Sequence, residues 1–252
     1  MRAIGIIPAR LASSRLPQKL LLAETGKPLL QYTWEAACRA SRLAEIIVAT
    51  DSEEIASVVR SFGGTCEMTR DDHPSGTDRI AEVVRRRTGD ADIIVNIQGD
   101  EPDIDPANLD QLVELLIANP DAEMATLCTP ITTREQWADN SCTKVVCAAN
   151  GAAMYFSRCP IPFYRDGEPD ELLSSGDSPW RLHLGLYAYR RDFLLRLTEL
   201  PPSRLEKLER LEQLRALEAG ATIQVGEVAH PAAGIDTPED YAKFVQRRGR
   251  AA

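Results

Sequence analysis

The sequence predicts an α/β fold, a mostly parallel sheet covered by helices on both faces. Short, near-continuous apolar runs alternate with helical stretches through the first half, the order that repeated βα units produce. Helix start and stop signals fall between those runs, such as Ser52 ahead of Glu53-Glu54 and Gly63-Gly64 behind. The 252 residues, 44% of them hydrophobic, are enough for a sizeable core.

Taken in order, Ala3 to Ile7 reads as a buried strand that stops at Pro8, which cannot supply the next ladder N–H. Pro28 to Ala40 carries apolar positions at helical spacing, with Pro suited to the first turn. Glu45 to Thr50 is a strand, and Ser52 caps a helix that runs to Phe62. Cys66 to Thr69 is a strand, Asp78 to Arg87 a helix, and Asp92 to Ile97 a fully apolar central strand. Asp105-Pro106 opens a helix to about residue 118, with Asp as the cap.

The pattern changes after about Met124. Lys144 to Cys147 and Ala152 to Phe156 flank Ala149-Asn150-Gly151, and Asn-Gly is a strong hairpin signal. Pro160 to Pro179, rich in Pro, Gly, Asp and Ser, reads as a long loop able to act as a lid. His183 to Tyr189 is an alternating strand, Leu205 to Glu218 a helix, and Thr222 to Val228 a strand. Thr237-Pro238-Glu239-Asp240 opens a final helix, and the Arg-Arg-Gly-Arg at 247–250 reads as a frayed tail. Leucines at 205, 208, 211, 214 and 217 are not a zipper, because a step of three falls short of a turn by about 60° each time. Such a helix is apolar on several sides, so Glu212 and Gln213 within it need partners. With no interdomain linker and no repeat, residues 1–252 read as a single domain.

Composition excludes several function classes. A net charge of −9 argues against generic nucleic-acid or anionic-membrane binding. No apolar run approaches the roughly 20 residues of a membrane span, and the first residues carry no signal-peptide pattern, so a cytoplasmic location is expected. The six cysteines form no C-x-x-C pair and read as reduced thiols, and the three histidines are far apart. Walker, G-x-S-x-G and G-x-G-x-x-G motifs are absent.

Chemistry concentrates at the ends of the predicted strands, the edge where open α/β sheets bind ligands. Arg10, Arg15 and Lys19 follow the first strand in a loop rich in small residues, a site for a polyphosphate or else a solvated basic loop. Asn96-Ile97-Gln98-Gly99-Asp100-Glu101-Pro102 follows the central strand, where a carboxylate could hold Mg²⁺ against phosphates or simply make an Asx turn. Asp236, in Gly234-Ile235-Asp236-Thr237-Pro238, is open between metal ligand and helix cap. Ser75-Gly76-Thr77-Asp78-Arg79 turns into a helix with backbone groups free to read a base edge.

Together and in this order, these segments resemble the 3-deoxy-D-manno-octulosonate (KDO) cytidylyltransferases, a family of sugar-acid nucleotidyltransferases. The resemblance rests on Ile-Pro-Ala-Arg…Arg-Leu-Pro…Lys at 7–19, Ile-Val-Ala-Thr-Asp at 47–51, His-Pro-Ser-Gly-Thr-Asp-Arg at 73–79 and Val-Asn-Ile-Gln-Gly-Asp-Glu-Pro at 95–102. It continues with Tyr-Phe-Ser-Arg at 155–158, His-Leu-Gly-Leu-Tyr at 183–187, Leu-Glu-Gln-Leu-Arg at 211–215 and Gly-Ile-Asp-Thr-Pro-Glu-Asp at 234–240. It implies a Rossmann-like nucleotide-diphospho-sugar transferase sheet with an inserted hairpin and lid, and a sugar-binding and dimerisation subregion at about 130–190. It implies that Ala9, Arg10, Arg15 and Lys19 hold the CTP phosphates, with Gln98 and Asp100 also on the nucleotide, and that Ser75, Gly76 and Arg79 form the cytidine pocket. It implies Mg²⁺ on Asp100 and Asp236, with Arg15 and Lys19 joining them in catalysis. Gln98, Arg158, Arg165, His183, Tyr187, Glu212 and Gln213 would surround the sugar acid. The implied reaction moves CMP from CTP to KDO for lipopolysaccharide synthesis, in a homodimer whose hairpin lies near the contact.

Two positions depart from the family pattern. Leu182 stands where a basic residue usually precedes the motif His, and Ser203-Arg204-Leu205-Glu206 stands for Ser-Pro-Leu-Glu. Both lie near sugar-binding segments, which leaves another keto-sugar acid, an amino-KDO or a nonulosonic acid, as an alternative acceptor. A non-catalytic nucleotide-binding protein is disfavoured by retention of Lys19, Asp100 and Asp236. Strand alternation puts Leu182 on a face with Leu184 and Leu186, and Arg181, His183 and Tyr187 on the other.

Overall fold

A computed structural model describes residues 1–11, 15–87, 89–176, 178–229 and 231–249. Ala12, Ser13 and Ser14 of the small-residue loop, and Arg250 of the tail, lie outside the described residues. The strands are β1 (Ala3–Ala9), β2 (Leu43–Thr50), β3 (Thr65–Met68), β4 (Ile93–Asn96), β5 (Met124–Pro130), β6 (Lys144–Cys147), β7 (Ala153–Ser157), β8 (Arg181–Arg190) and β9 (Ile223–Glu227). The first helices are α1 (Leu29–Ala37), α2 (Glu53–Ser61), α3 (Gly76–Arg87), α4 (Pro106–Ala118) and α5 (Arg134–Ala138). The rest are α6 (Pro169–Leu173), α7 (Arg191–Leu197), α8 (Arg204–Glu209), α9 (Gln213–Glu218) and α10 (Pro238–Gly249). Two compact units result, residues 1–110 with 232–252, and residues 111–231.

In the first unit the strands run parallel in the order β3-β2-β1-β4, as the alternating pattern predicts. All of β4, and all of β1 except Pro8, is buried, the burial expected of strands with both faces covered. Ser52 caps α2 by accepting the Ile55 N–H at 3.3 Å, and Asp105 accepts the Ala107 N–H at 2.9 Å at the head of α4. Pro8 does not stop β1, which runs on to Ala9 beside Thr50. The reason is one of sides. The Ile6 carbonyl accepts the Ile97 N–H, so Pro8, of the same parity, faces the side on which pairing with β4 ends at Ile6–Asn96. Its missing N–H interrupts no ladder bond.

The last helix anchors to the first. Tyr241 and Phe244 of α10 pack with Leu29, Leu16 and Ile235, and Tyr32 meets Phe244 edge-on at 5.3 Å. Arg247 and Arg248 are therefore not a frayed tail. They lie in α10, donate to Asp103 at 2.8 and 2.6 Å, and Arg248 sits 4.9 Å over the Tyr32 ring.

In the second unit the sheet is mixed: β5 lies between β8, antiparallel, and β9, parallel. The expected hairpin forms from β6 and β7, and β6 also pairs with β8. Its loop has three residues, closed by Gly151 N–H to Ala148 at 2.9 Å and Ala148 N–H to Ala152 at 2.8 Å, and only Gly151 takes positive φ, +80°. The segment from Pro160 to Pro179 contains α6, with Pro169 in its first turn. Its Leu173 joins Ile131 and Trp180 in an apolar cluster against which Leu182 packs. Leu182 thus belongs to the apolar face, while His183 and Tyr187 stack with Phe156 and Tyr189.

The expected helix from Leu205 to Glu218 is two helices. Arg210 adopts φ 56°, ends α8, and α9 starts at Gln213. A capping box between Ser203 and Glu206 opens α8. The leucine stripe is split accordingly, with Leu211 and Leu214 buried and Leu208 70% exposed.

Two substitutions test this packing. Gly151→Ala puts a Cβ in left-handed backbone and 2.4 Å from Gln224 Nε2. It is expected to lower unfolding stability by about 1–2 kcal/mol, read as a lower urea midpoint; an unchanged midpoint would refute the turn assignment. Leu182→Lys sets a charge against the Trp180 cluster and should cost roughly 1–3 kcal/mol, read as a lower melting temperature, whereas Leu182→Met should melt close to wild type.

Candidate active site

In the first unit the chain segments that leave β1 and β4, and the one that enters α10, line a cavity of ≈340 Å³. It gathers Arg10, Arg15, Lys19, Gly76, Gln98, Asp100 and Asp236. Lys19 begins a single 3₁₀ turn, Lys19–Leu21, after Gln18 in left-handed conformation. Its ammonium donates to the Asp100 carboxylate, to Asp236 Oδ1 at 2.9 Å and to the Ile235 carbonyl at 3.1 Å. Arg15 reaches the other Asp236 oxygen at 3.1 Å. Burial works to lower the Lys19 pKa, but the hydrogen bonds and charges of Asp100 and Asp236 outweigh it and hold the pKa above its ordinary value.

Backbone contacts fix the two carboxylates. The Ile235 N–H donates to the Asp100 carbonyl at 2.9 Å, and Thr33 Oγ1 donates to the Gly99 carbonyl at 3.0 Å. A Cβ on Gly99 would stand 3.2 Å from Ile7 Cγ2, so the turn packs against β1 closely. The open question at Asp236 is resolved against a cap. Thr237 caps α10, accepting the Asp240 N–H at 3.2 Å, while Asp240 Oδ2 accepts the Thr237 N–H at 3.0 Å. Glu101, which the sequence reading passed over, is driven up to about 8 by burial and by the Asp100 charge beside it. Its only signal was its place beside Asp100.

Three predicted residues near this cavity serve local structure. Ala9 is buried at the end of β1. Ser75 Oγ accepts the Asp78 N–H at 3.1 Å and donates to Asp78 Oδ2 at 2.6 Å, capping α3. Arg79 is 0% exposed; it donates to Asp51 at 2.7 Å and to Thr69, and its Nε is buried without a partner. Arg10 donates to the His73 carbonyl at 2.7 Å, and the His73 ring pairs with Glu82. Spacing alone carried no sign of the Asp51 or Glu82 partnerships, because 28 and 9 residues separate the partners.

The second unit brings His183, Tyr187 and Glu212 together. The rings of His183 and Tyr187 lie 5.4 Å apart. Burial, with Tyr189 and Glu212 adding charge, raises the Tyr187 pKa well above its usual value. Burial pushes the His183 imidazole down to about 3, so it is neutral at pH 7. Thr126 Oγ1 donates to the Leu186 carbonyl at 2.7 Å and lies 3.0 Å from His183 Nε2, an arrangement that assigns the proton to Nε2. Gln213 is buried, 4% exposed, and its Nε2 has no partner. Arg158 donates to the backbone carbonyls of Glu209 at 2.7 Å and Asn140 at 3.0 Å, and Arg165 is exposed ahead of α6.

Among the described residues no group of three or more His, Cys, Asp or Glu is placed to hold a metal alone. Asp100 and Asp236, sharing one cation, are a donor set suited to Mg²⁺, which takes one or two carboxylates and completes its shell with water and phosphate oxygens. Described cysteines are all free thiols, and no helix among the described residues is long and apolar enough to cross a membrane.

The chain matches a family model described as cytidylyltransferase over residues 4–223. It is 49% identical over 247 residues to a 3-deoxy-manno-octulosonate cytidylyltransferase of Rhodopirellula baltica, covering 98% of both chains. It is 48% identical over 250 residues to the protein of that name from Geobacter sulfurreducens, covering 98% of this chain and 99% of the other. A solved structure of CMP:2-keto-3-deoxy-manno-octonic acid synthetase complexed with CTP superposes with a TM-score of 0.91 at 41% identity, covering 100% of both chains. The α/β arrangement and the match along nearly the whole length lead to one conclusion: this chain belongs to the cytidylyltransferase family.

Proposed function

We propose that the chain is an enzyme that transfers CMP from CTP to 3-deoxy-D-manno-octulosonate, releasing pyrophosphate and giving CMP-KDO for lipopolysaccharide synthesis. The carrying observation is the first-unit cavity, where Arg10, Arg15 and Lys19 accompany two carboxylates held on one ammonium. Relatives bearing the name of that activity, alike over almost the whole chain, support the same reading.

In this reading Ala9, Arg10, Arg15 and Lys19 bind the triphosphate, with Gln98 beside it. Ser75 and Gly76 offer backbone to the cytosine edge, and the buried Arg79 holds that turn against Asp51. Asp100 and Asp236 would hold Mg²⁺, which would supply positive charge to offset that of the reacting phosphates. The anomeric hydroxyl oxygen attacks the α-phosphorus in line and gives up its proton to solvent; a new P–O bond forms, and the bond to the bridging oxygen of the β-phosphate breaks, releasing pyrophosphate. Charge grows on the leaving pyrophosphate, and Arg15 and Lys19 stabilise it. Arg158, Arg165, His183, Tyr187, Glu212 and Gln213 bind the sugar acid. Neutral His183 and the unpartnered Gln213 amide suit hydroxyl groups, while arginines suit the carboxylate.

The reading treats residues 1–252 as one nucleotidyltransferase, with sugar binding and dimerisation at about 130–190, acting as a cytoplasmic homodimer. Met154 of β7, 63% exposed, is an apolar side chain on the hairpin that would meet a second copy. Leu182 packs into an apolar cluster, so its departure from the family pattern gives no reason to prefer another acceptor.

Pyrophosphate release with CTP and Mg²⁺ across a panel of sugar acids tests the assignment. KDO should give the highest kcat/KM, CTP should outperform UTP by at least about tenfold through groups left unpaired by uracil, and no release with any acceptor would sink the proposal. Asp100→Asn and Asp236→Asn should each lower kcat at least about a hundredfold, roughly 3 kcal/mol of barrier, at near-wild-type melting temperature. Since Thr237 caps α10, lost activity in Asp236→Asn would report the metal site rather than a damaged helix, and retained activity would refute the metal assignment.

A further inference from the structure

Between residues 204 and 218 the sequence has neither glycine nor proline, yet the helix breaks at Arg210 with φ 56°. In an unbroken helix the Glu209 and Arg210 carbonyls would accept from the amides of Gln213 and Leu214. Arg158 takes them instead. Its Nε donates to the Glu209 carbonyl at 2.7 Å and a terminal nitrogen donates to the Arg210 carbonyl at 3.4 Å. The Leu214 amide turns to Leu211 at 3.2 Å.

Glu209 returns the contact. One carboxylate oxygen accepts the Ser157 hydroxyl at 2.7 Å and the other accepts the Arg158 backbone N–H at 3.0 Å. Side chain and main chain of Glu209 thus close a ring with residues 157 and 158 at the end of β7. Arg158 is held from behind as well, because the buried Lys144 ammonium donates to its carbonyl at 3.3 Å and to that of Asp139 at 2.7 Å. At the break the Arg210 and Leu211 amides both turn back to the Glu206 carbonyl, while this clasp takes up the two carbonyls the break frees. Each helical residue turns by about 100°, so removing the break would re-aim every side chain after it. Those side chains include Glu212, which acts electrostatically on Tyr187, and Gln213, whose buried Nε2 has no partner.

The geometry points to Glu209 as a positioning residue for the acceptor sugar, holding the left-handed corner at Arg210 that sets where Glu212 and Gln213 face. This rests on the proposed reading of Glu212 and Gln213 as sugar-side groups. Glu209 touches no substrate; it acts through Ser157 and Arg158.

The test is steady-state kinetics of the full-length protein with KDO and CTP varied separately, alongside melting temperature with and without CTP. Glu209→Ala should raise the KM for KDO about tenfold or more and leave the KM for CTP within about twofold, with Ser157→Ala in the same direction and smaller. Glu209→Gln keeps one acceptor oxygen and should fall between wild type and Glu209→Ala. Should Glu209→Ala not fold, Ser157→Ala and Glu209→Gln decide the matter by the same split. A KM for KDO within twofold of wild type, or an equal rise for both substrates, overturns the proposal. Gln213→Ala separates the two readings: if it raises the KM for KDO while the Glu209 variants do not, the clasp alone is wrong. If neither raises it, the sugar-side assignment falls and the clasp proposal falls with it.

Discussion

One ammonium group ties together three distant parts of the chain. Lys19 comes from the loop after the first strand, Asp100 from the turn after the central strand, and Asp236 from the segment that enters the last helix. Two carboxylates this close would repel each other, and a partly buried lysine would ordinarily lose its proton more readily; each compensates the other. The Ile235 N–H on the Asp100 carbonyl makes the same junction through the main chain. Arg15 joins the same meeting point through Asp236, and Gly99, next to Asp100, packs closely on β1.

Around it, buried charge is used to hold loops rather than to face the cavity. Arg79 spends its guanidinium on Asp51 and Thr69, which fastens the start of α3 to the end of β2. His73 is held by Glu82 and lends its carbonyl to Arg10. Such pairs are costly to bury, and removing one partner leaves the other charged and unsolvated. They tie both ends of the segment from Thr69 to Arg79 to side chains elsewhere in the unit.

The second unit solves a different problem. Two of its polar groups, packed among aromatic rings, are kept neutral by burial: His183 is pushed down to about 3 and Tyr187 well above its usual pKa. Recognition by neutral donors and acceptors suits hydroxyl-rich ligands, whereas the fixed charge of the first unit suits phosphates.

The parallel first sheet, its helices and the caps Ser52 and Asp105 were legible in the residues alone, because apolar periodicity and caps act within a few positions of themselves, whereas the cap of α10 fell to Thr237 and not to Asp236. Arg10, Lys19 and Asp100, which the cavity gathers, fall in segments that follow predicted strands, whereas Asp236 comes in from the segment ahead of α10. What the sequence could not declare were contacts between distant positions. Pro8 stays within its strand because the neighbouring strand ends first. The tail arginines are helical because Asp103 awaits them. The helix breaks at Arg210 without glycine or proline where Arg158, just beyond β7, donates to the Glu209 and Arg210 carbonyls. Local propensity is written in a window of a few residues, while the partners that override it lie 50 or more positions away, and only the folded chain brings them into reach.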